Sequence, residues 1–255
     1  MENQIEILKK LLSPCADEGN VDFLWLTGSL VRGGISDNAD IIVGVKALNM
    51  GTIQAISEKI SFNEIAIGKP EMLDDALRFK VDEHTTVSLG LYRTADIFQR
   101  LKNYTSGKLI NGEKRSWAIS SWIPESFCAD IKDSIALYDR NNMLLRAKKK
   151  LDPYPRALAD SIVGLSMQEI KLKLEKLDSS ILPEKILVFA DLISCATRMT
   201  FANDRTYFLG YKNVLEQLRH LRSKQSLKLV ELWEKNDLDE IEIVKFKQLL
   251  KEVSK

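Results

Sequence analysis

The stretch GSLVRGGISDNADIIV, residues 28–43, decides the fold of this chain. It follows an apolar run, VDFLWLT (21–27), which predicts a buried strand that ends in a glycine turn. Asp40 opens a second apolar run, ADIIVGV (39–45), which predicts another strand. Arg32, two glycines and a Ser-Asp-Asn cluster lie between the runs, so we expect a turn or short helix followed by a loop.

The remaining pattern divides the chain into an α/β half and a helical half. In the first half the periodicity predicts an amphipathic helix over 1–14, a helix over 50–60, a strand over 63–69, and a hairpin over 77–93 that turns at residues 82–85. From about residue 141 nearly every segment, up to one at 239–253, has the apolar spacing of bundled helices. We therefore predict an α/β head with a mixed sheet at 1–140 and an all-α helical bundle at 141–255.

Composition indicates a cytoplasmic chain without a nucleic-acid partner. The 37 Lys and Arg residues nearly balance the 36 Asp and Glu residues, whereas nucleic-acid-binding domains are usually basic. The 3 cysteines are far apart, which is typical of a reducing compartment. The most apolar later run (186–196) contains Asp191 and is too short to span a bilayer. We expect no membrane contact.

The pattern around Asp40 suits phosphate chemistry. A Gly-Ser turn at the start of a helix directs backbone N–H groups and a hydroxyl at phosphates. Two carboxylates in an Asp-x-Asp strand point to one face, where they can hold Mg²⁺ ions beside a triphosphate. Here the strand reads Asp40, Ile41, Ile42, so only the first carboxylate is present.

The motif resembles that of the DNA polymerase β-type nucleotidyltransferase superfamily. The likeness rests on LWLTGS (24–29), Arg32, Gly33 and ADIIV (39–43), and the two-part plan is similar to that of antibiotic nucleotidyltransferases and their two-domain bacterial relatives. The resemblance implies an α/β nucleotidyltransferase head and a nucleoside triphosphate bound with Mg²⁺. It also implies transfer of a nucleotidyl group to a small-molecule acceptor. The residues it implies are Asp40 for catalysis and metal binding, and Gly28, Ser29 and Arg32 for nucleotide binding.

Two departures from the superfamily motif weaken the prediction of activity. Ile42 stands at the second metal position, and Ser88 is the residue that best aligns with the third carboxylate. A register shifted by two residues would pair Asn38 with Asp40 and still supply only one carboxylate. We therefore expect weak, altered or lost transferase activity.

Three alternatives stay open at this point. The protein is an inactive pseudo-enzyme that binds a ligand or a protein partner, it recruits other acids, or the register is different. The acids available for such recruitment are Asp37, Asp82 and Glu83.

The stretch NDRTYFLGYKN (203–213) is the strongest motif in the helical half. Similar stretches occur in the relatives named above, so Tyr207 and Lys212 are predicted to contact the nucleotide. The alternative is an interhelical loop whose aromatic rings pack in the core. Arg32 likewise has an alternative role, since it could pair with Asp37 or Asp40. The acids considered for an amine-bearing acceptor are Glu113, Glu125 and Asp130.

Overall fold

The computed structural model describes residues 2–16, 19–33, 38–61, 67–73, 76–109, 123–179, 182–234 and 248. The chain forms two compact units, each made of two segments. The first unit is Met1–Lys102 with Asp130–Asp152, and the second is Asn103–Ala129 with Pro153–Lys255. The predicted division into domains 1–140 and 141–255 stays a prediction.

The first unit is built on a six-stranded mixed sheet. Its strands are β1 (Val21–Thr27), β2 (Asn38–Val45), β3 (Ile67–Leu73), β4 (Ala76–Lys80), β5 (Thr86–Arg93) and β6 (Ile135–Asp139). They lie in the order β3-β4-β5-β2-β1-β6, in which β2 and β5 are parallel and the other neighbours are antiparallel. The mixed sheet confirms the predicted α/β architecture of the head.

Helices cover the sheet because its strands are apolar on both faces near the centre. The helices with residues in this unit are α1 (Glu2–Ala16), α2 (Met50–Ser61), most of α3 (Thr94–Thr105), the end of α4 (Pro124–Asp133) and α5 (Met143–Leu151). On one face Leu24, Ile41 and Leu89 join a buried cluster with residues of α1 and α2. On the other face the Phe23 and Trp25 rings stack, with ring centroids 3.7 Å apart.

The second unit is helical in its later segment. It contains α6 (Arg156–Ser179), α7 (Leu182–Asn203), α8 (Val214–Leu221) and α9 (Lys224–Glu234), which share one buried cluster centred on α7. These elements confirm the predicted helical C-terminal part. The helix predicted over 239–253 lies outside the described residues, apart from residue 248. Three elements were not predicted, namely α3, α4 and β6.

Helix α7 contains a segment, Glu184–Asn203, that is long and apolar enough to cross a membrane by length and composition. In this structure 56% of the segment is buried inside the protein. It also carries Arg198, which forms an ion pair with Glu125, and Asp191, which forms one with Lys173. These are the properties of a core helix.

Candidate functional site

The first feature of the site is the close approach of Gly28 and Asp40. Thr27, the last residue of β1, is the register partner of Asp40 on β2, so the turn after β1 begins beside this aspartate. Gly28 has φ +79°, and a Cβ added to it would lie 2.8 Å from the Asp40 Oδ2 atom. The turn needs glycine for its conformation and for the space that the carboxylate occupies. Asp40 itself is exposed.

The turn that follows Gly28 is not an α-helix. The Arg32 N–H donates to the Ser29 carbonyl oxygen at 3.2 Å, and the Gly33 N–H donates to the Leu30 carbonyl oxygen at 3.4 Å. Gly33 then takes φ +77°. The structure thus confirms a turn between the strands. Because the Arg32 and Gly33 N–H groups are bonded within the turn, residues 28–33 do not form the helix N-terminus on which the predicted phosphate contact was based.

Arg32 binds two carboxylates of α4. Its Nη2 donates to Asp130 Oδ1 at 2.5 Å, and its Nε donates to Asp133 Oδ2 at 2.7 Å. Burial alone would lower the Arg32 pKa, but the charges and hydrogen bonds of Asp130 and Asp133 outweigh it, so the pKa is raised. The Thr27 hydroxyl donates to the Asp130 carbonyl oxygen at 3.1 Å, which also ties β1 to this part of α4. The structure therefore pairs Arg32 with Asp130 and Asp133. Of the two partners that the sequence suggested, Asp40 is not one of these, and Asp37 lies outside the described residues.

Ile42 and Ser88 stand at the positions where the resemblance would place the other two carboxylates. Ile42 is 1% exposed and lies in register between Trp25 on β1 and Gly90 on β5. The Trp25 indole N–H is buried and has no hydrogen-bond partner among the described residues. Ser88 is half-buried and is the register partner of Asp40 on β5. Position 42 is thus closed to solvent, whereas position 88 lies beside Asp40.

The resemblance implies Mg²⁺, and we tested whether the residues present fit it. Among the described residues no group of three or more His, Cys, Asp or Glu side chains could hold a metal ion. The residues in register with Asp40 on the two neighbouring strands, Thr27 and Ser88, carry hydroxyl groups and not carboxylates. These residues do not fit a two-ion site. They fit one ion that takes Asp40 as its carboxylate and its other ligands from phosphate oxygens and water, which is a common way for proteins to bind Mg²⁺.

Tyr207 and Lys212, the predicted nucleotide contacts of the helical half, lie in the second unit. Tyr207 is 8% exposed, and its ring centroid is 4.4 Å from that of Tyr154. Lys212 is exposed, and its carbonyl oxygen accepts a hydrogen bond from Gln217. Tyr207 thus packs in the core of its own unit, as the alternative interpretation expected. The nucleotide contacts of these two residues stay predictions.

The second unit holds a buried ion pair that composition alone did not reveal. Both Glu125 carboxylate oxygens accept hydrogen bonds from the Arg198 guanidinium, and Glu125 is 1% exposed. The Tyr211 hydroxyl, nearby in the same unit, hydrogen-bonds the Ser194 hydroxyl. Burial is the main reason that the pKa of Tyr211 rises to about 12. Glu125 is thus committed to Arg198 and is not an acid that an acceptor amine could reach.

Sequence reasoning missed two basic side chains on the face of the sheet that bears Asp40. Arg78 on β4 is the register partner of Ser88, and Lys80 is the register partner of Thr86. Both are exposed, and they alternate with the buried Leu77 and Phe79. The alternation in LRFK (77–80) predicts that the two basic residues share a face, but only the strand order shows which residues they adjoin.

Comparison with known proteins gives similarity at the level of structure alone. The sequence matches no protein family and no curated protein. The structure is similar to a nucleotidyltransferase-like protein from Exiguobacterium sibiricum 255-15 at 13% identity, covering 98% of this chain and 75% of that one, with a TM-score of 0.49. It is also similar to spectinomycin adenyltransferase AAD(9) from Enterococcus faecialis, whose crystal structure contains ATP and spectinomycin. That match has 11% identity, full coverage of both chains and a TM-score of 0.39.

Both similar structures belong to the predicted class of protein, the nucleotidyltransferases and proteins like them. What this chain binds has to be argued from its own residues.

Proposed function

We propose that this protein binds a nucleoside triphosphate at the Gly28 turn and Asp40, and that its capacity to transfer a nucleotidyl group is weak. The observation that carries the proposal is the Gly28–Asp40 contact. Gly28, which has a positive φ and directly follows the buried strand β1, brings the backbone close to the exposed Asp40 carboxylate on β2. An exposed carboxylate thus lies beside the turn that carries Ser29.

Magnesium enters this proposal as a single ion held by Asp40. When bound, it would neutralise part of the negative charge of the triphosphate. The Ser29 hydroxyl would orient the phosphates, and Asp40 would hold the ion against them. The acceptor would be a small molecule whose hydroxyl displaces pyrophosphate. Few other carboxylates can assist that step, because Asp130 and Asp133 already pair with Arg32.

A second candidate function is a nucleotide-binding module that has lost transferase activity. The burial of Ile42 favours it, since a side chain that is 1% exposed beneath the sheet surface cannot reach a ligand. In two-ion sites the metals stabilise both the attacking and the leaving oxygen. Loss of such stabilisation commonly costs ~10²-fold or more in rate. We propose a cytoplasmic location for either form.

Calorimetric titration with nonhydrolysable ATP and GTP analogues, with and without Mg²⁺, tests the proposal. The wild type should bind at least one analogue, and Asp40→Asn should weaken binding in Mg²⁺ while leaving the thermal transition unchanged. Pyrophosphate release in the presence of candidate acceptors then separates a weak transferase from an inactive module. If neither analogue binds with or without the metal, the proposal fails.

A further inference from the structure

The sheet face that bears Asp40 has a polar end and an apolar end. Two register rows make the polar end, each running from β2 through β5 to β4: Asp40–Ser88–Arg78 and Asn38–Thr86–Lys80. We call these six residues the polar face. The next row, Ile42–Gly90–Ala76, is apolar, and Trp25 borders it on β1. The polar side chains are therefore gathered at the end of the sheet where the Gly28 turn lies.

Each row of the polar face has the same chemical order. A hydroxyl on β5 stands between an oxygen-bearing side chain on β2 and a basic side chain on β4. Arg78 and Lys80 are exposed, and neither side chain has an ion-pair or hydrogen-bond partner among the described residues. Glu71, the register partner of Arg78 on β3, is also exposed and does not bond to it. Two cations thus face solvent beside a row of hydroxyl donors.

The spacing across the row suits a phosphate group. Neighbouring strands lie about 4.8 Å apart, so the Asp40 and Arg78 backbones are about 10 Å apart with Ser88 between them. A phosphate above Ser88 would accept a hydrogen bond from its hydroxyl and a charge-assisted pair of bonds from the Arg78 guanidinium. Asp40 would lie on the opposite side of that phosphate, where an ion can bridge the two.

We infer that Arg78, supported by Lys80, is a polyphosphate-binding residue that supplies the positive charge a second metal ion would otherwise provide. The inference deepens the proposed function, and it rests on that function for the identity of the ligand as a nucleotide. It follows from two features that distinguish this sheet from the superfamily motif. Positions 42 and 88, where the superfamily motif would place the carboxylates for a second ion, hold Ile and Ser, and the arginine Arg78 adjoins position 88 in register. A cation carried by the chain needs no carboxylates to hold it.

The experiment uses inorganic tripolyphosphate as a probe that carries no base. Calorimetric titrations in EDTA compare the wild type with Arg78→Gln, Lys80→Gln and Arg93→Gln. Arg93 is the matched control, because it is an exposed arginine on β5 whose register partner, Val45, belongs to the opposite face of the sheet. It lies about 16 Å along the strand from Ser88.

We expect the wild type to bind tripolyphosphate without metal. Arg78→Gln should weaken this binding about tenfold, as the loss of a charge-assisted hydrogen bond implies. Lys80→Gln should weaken it less, and Arg93→Gln should leave it unchanged. Because these side chains are exposed, all three variants should keep the wild-type thermal transition. Glu71→Gln should tighten binding by removing a competing charge.

Two results would overturn the inference. One is a wild type that does not bind tripolyphosphate in EDTA, and the other is an Arg78→Gln variant that binds as tightly as Arg93→Gln. The proposed function fails separately if tripolyphosphate binds but neither the ATP nor the GTP analogue does. In that case the polar face is a polyphosphate site without a nucleotide preference.

Discussion

Removing one member of the buried Glu125–Arg198 pair should destabilise the helical unit far more than removing both. The Glu125 side chain is 1% exposed and the Arg198 side chain is 17% exposed. Removing either partner leaves an unpaired charge in the interior, which typically lowers the free energy of unfolding by about 3–5 kcal/mol. Since domains are stable by about 5–15 kcal/mol, the single variants should lose a fifth or more of their stability. A unit of this size should melt roughly 10–20 °C lower.

The two single variants should differ in the size of their loss. Arg198→Met leaves the charge of Glu125 unpaired, and the Glu125 side chain is 1% exposed, whereas Glu125→Leu leaves the charge of Arg198, whose side chain is 17% exposed. Because the more deeply buried charge is the more costly one to leave unpaired, Arg198→Met should lose more stability than Glu125→Leu.

The double variant Glu125→Leu with Arg198→Met decides whether the pair itself stabilises the fold. Replacing a buried ion pair by apolar side chains is often neutral or stabilising by about 1–4 kcal/mol. Urea unfolding followed by circular dichroism gives all four free energies. The exposed Arg219–Glu234 pair in the same unit provides the control, because Glu234→Gln should cost less than about 1 kcal/mol. The reasoning is refuted if Arg198→Met costs no more than this control, or if the double variant is as unstable as the worse single one.

Two further predictions concern the site itself. Gly28→Ala and Gly33→Ala both place a Cβ on a residue with positive φ, which should lower the free energy of unfolding by about 1–2 kcal/mol in each variant. Only the Cβ at position 28 would contact Asp40, so nucleotide titration should show lost binding for Gly28→Ala alone. Equal losses would mean that the carboxylate contact is unimportant. Asp133→Asn removes the charge of one of the two carboxylates that bind the Arg32 guanidinium. If Arg32 also contacts phosphate, the affinity for the ATP analogue should rise roughly two- to fivefold, because one competing negative charge is gone. An unchanged or lower affinity would mean that Arg32 only fixes the turn to α4.

The sequence predicted the elements that have a strong local signal. The runs at 21–27 and 39–45 are mostly apolar because every residue of 21–27 and of 41–45 is buried, and the structure places strands there. The hairpin turn at Asp82 was predicted from its polar residues, and the Asp82 carboxylate accepts hydrogen bonds from the His84 and Thr85 N–H groups. These hydrogen bonds lower the pKa of Asp82. Local chemistry was sufficient in each of these cases.

Elements whose role depends on distant parts of the chain were not predicted. Strand β6 has no apolar face that alternates with a polar one, since all five of its residues are half-buried, so periodicity could not identify it. The partners of Arg32 lie about a hundred residues away on α4, which no local pattern indicates. The burial of Ile42 and the position of Arg78 next to Ser88 follow from strand order, a property of the whole sheet. The residues that decide the chemistry of the site were thus the least predictable.

Restoring carboxylates one at a time should not rebuild a two-ion site, for a different reason at each position. Ile42→Asp would bury a carboxyl group at a position that is 1% exposed, so we expect a fall of several kcal/mol in stability and no added metal affinity. Ser88→Asp would face Arg78 in register and pair with it, leaving stability almost unchanged but still recruiting no ion. Thermal unfolding and calorimetric Mg²⁺ titration of both variants check this. A Mg²⁺ site gained by Ser88→Asp alone would contradict the assignment of Arg78, because the guanidinium would then not control the charge of the polar face.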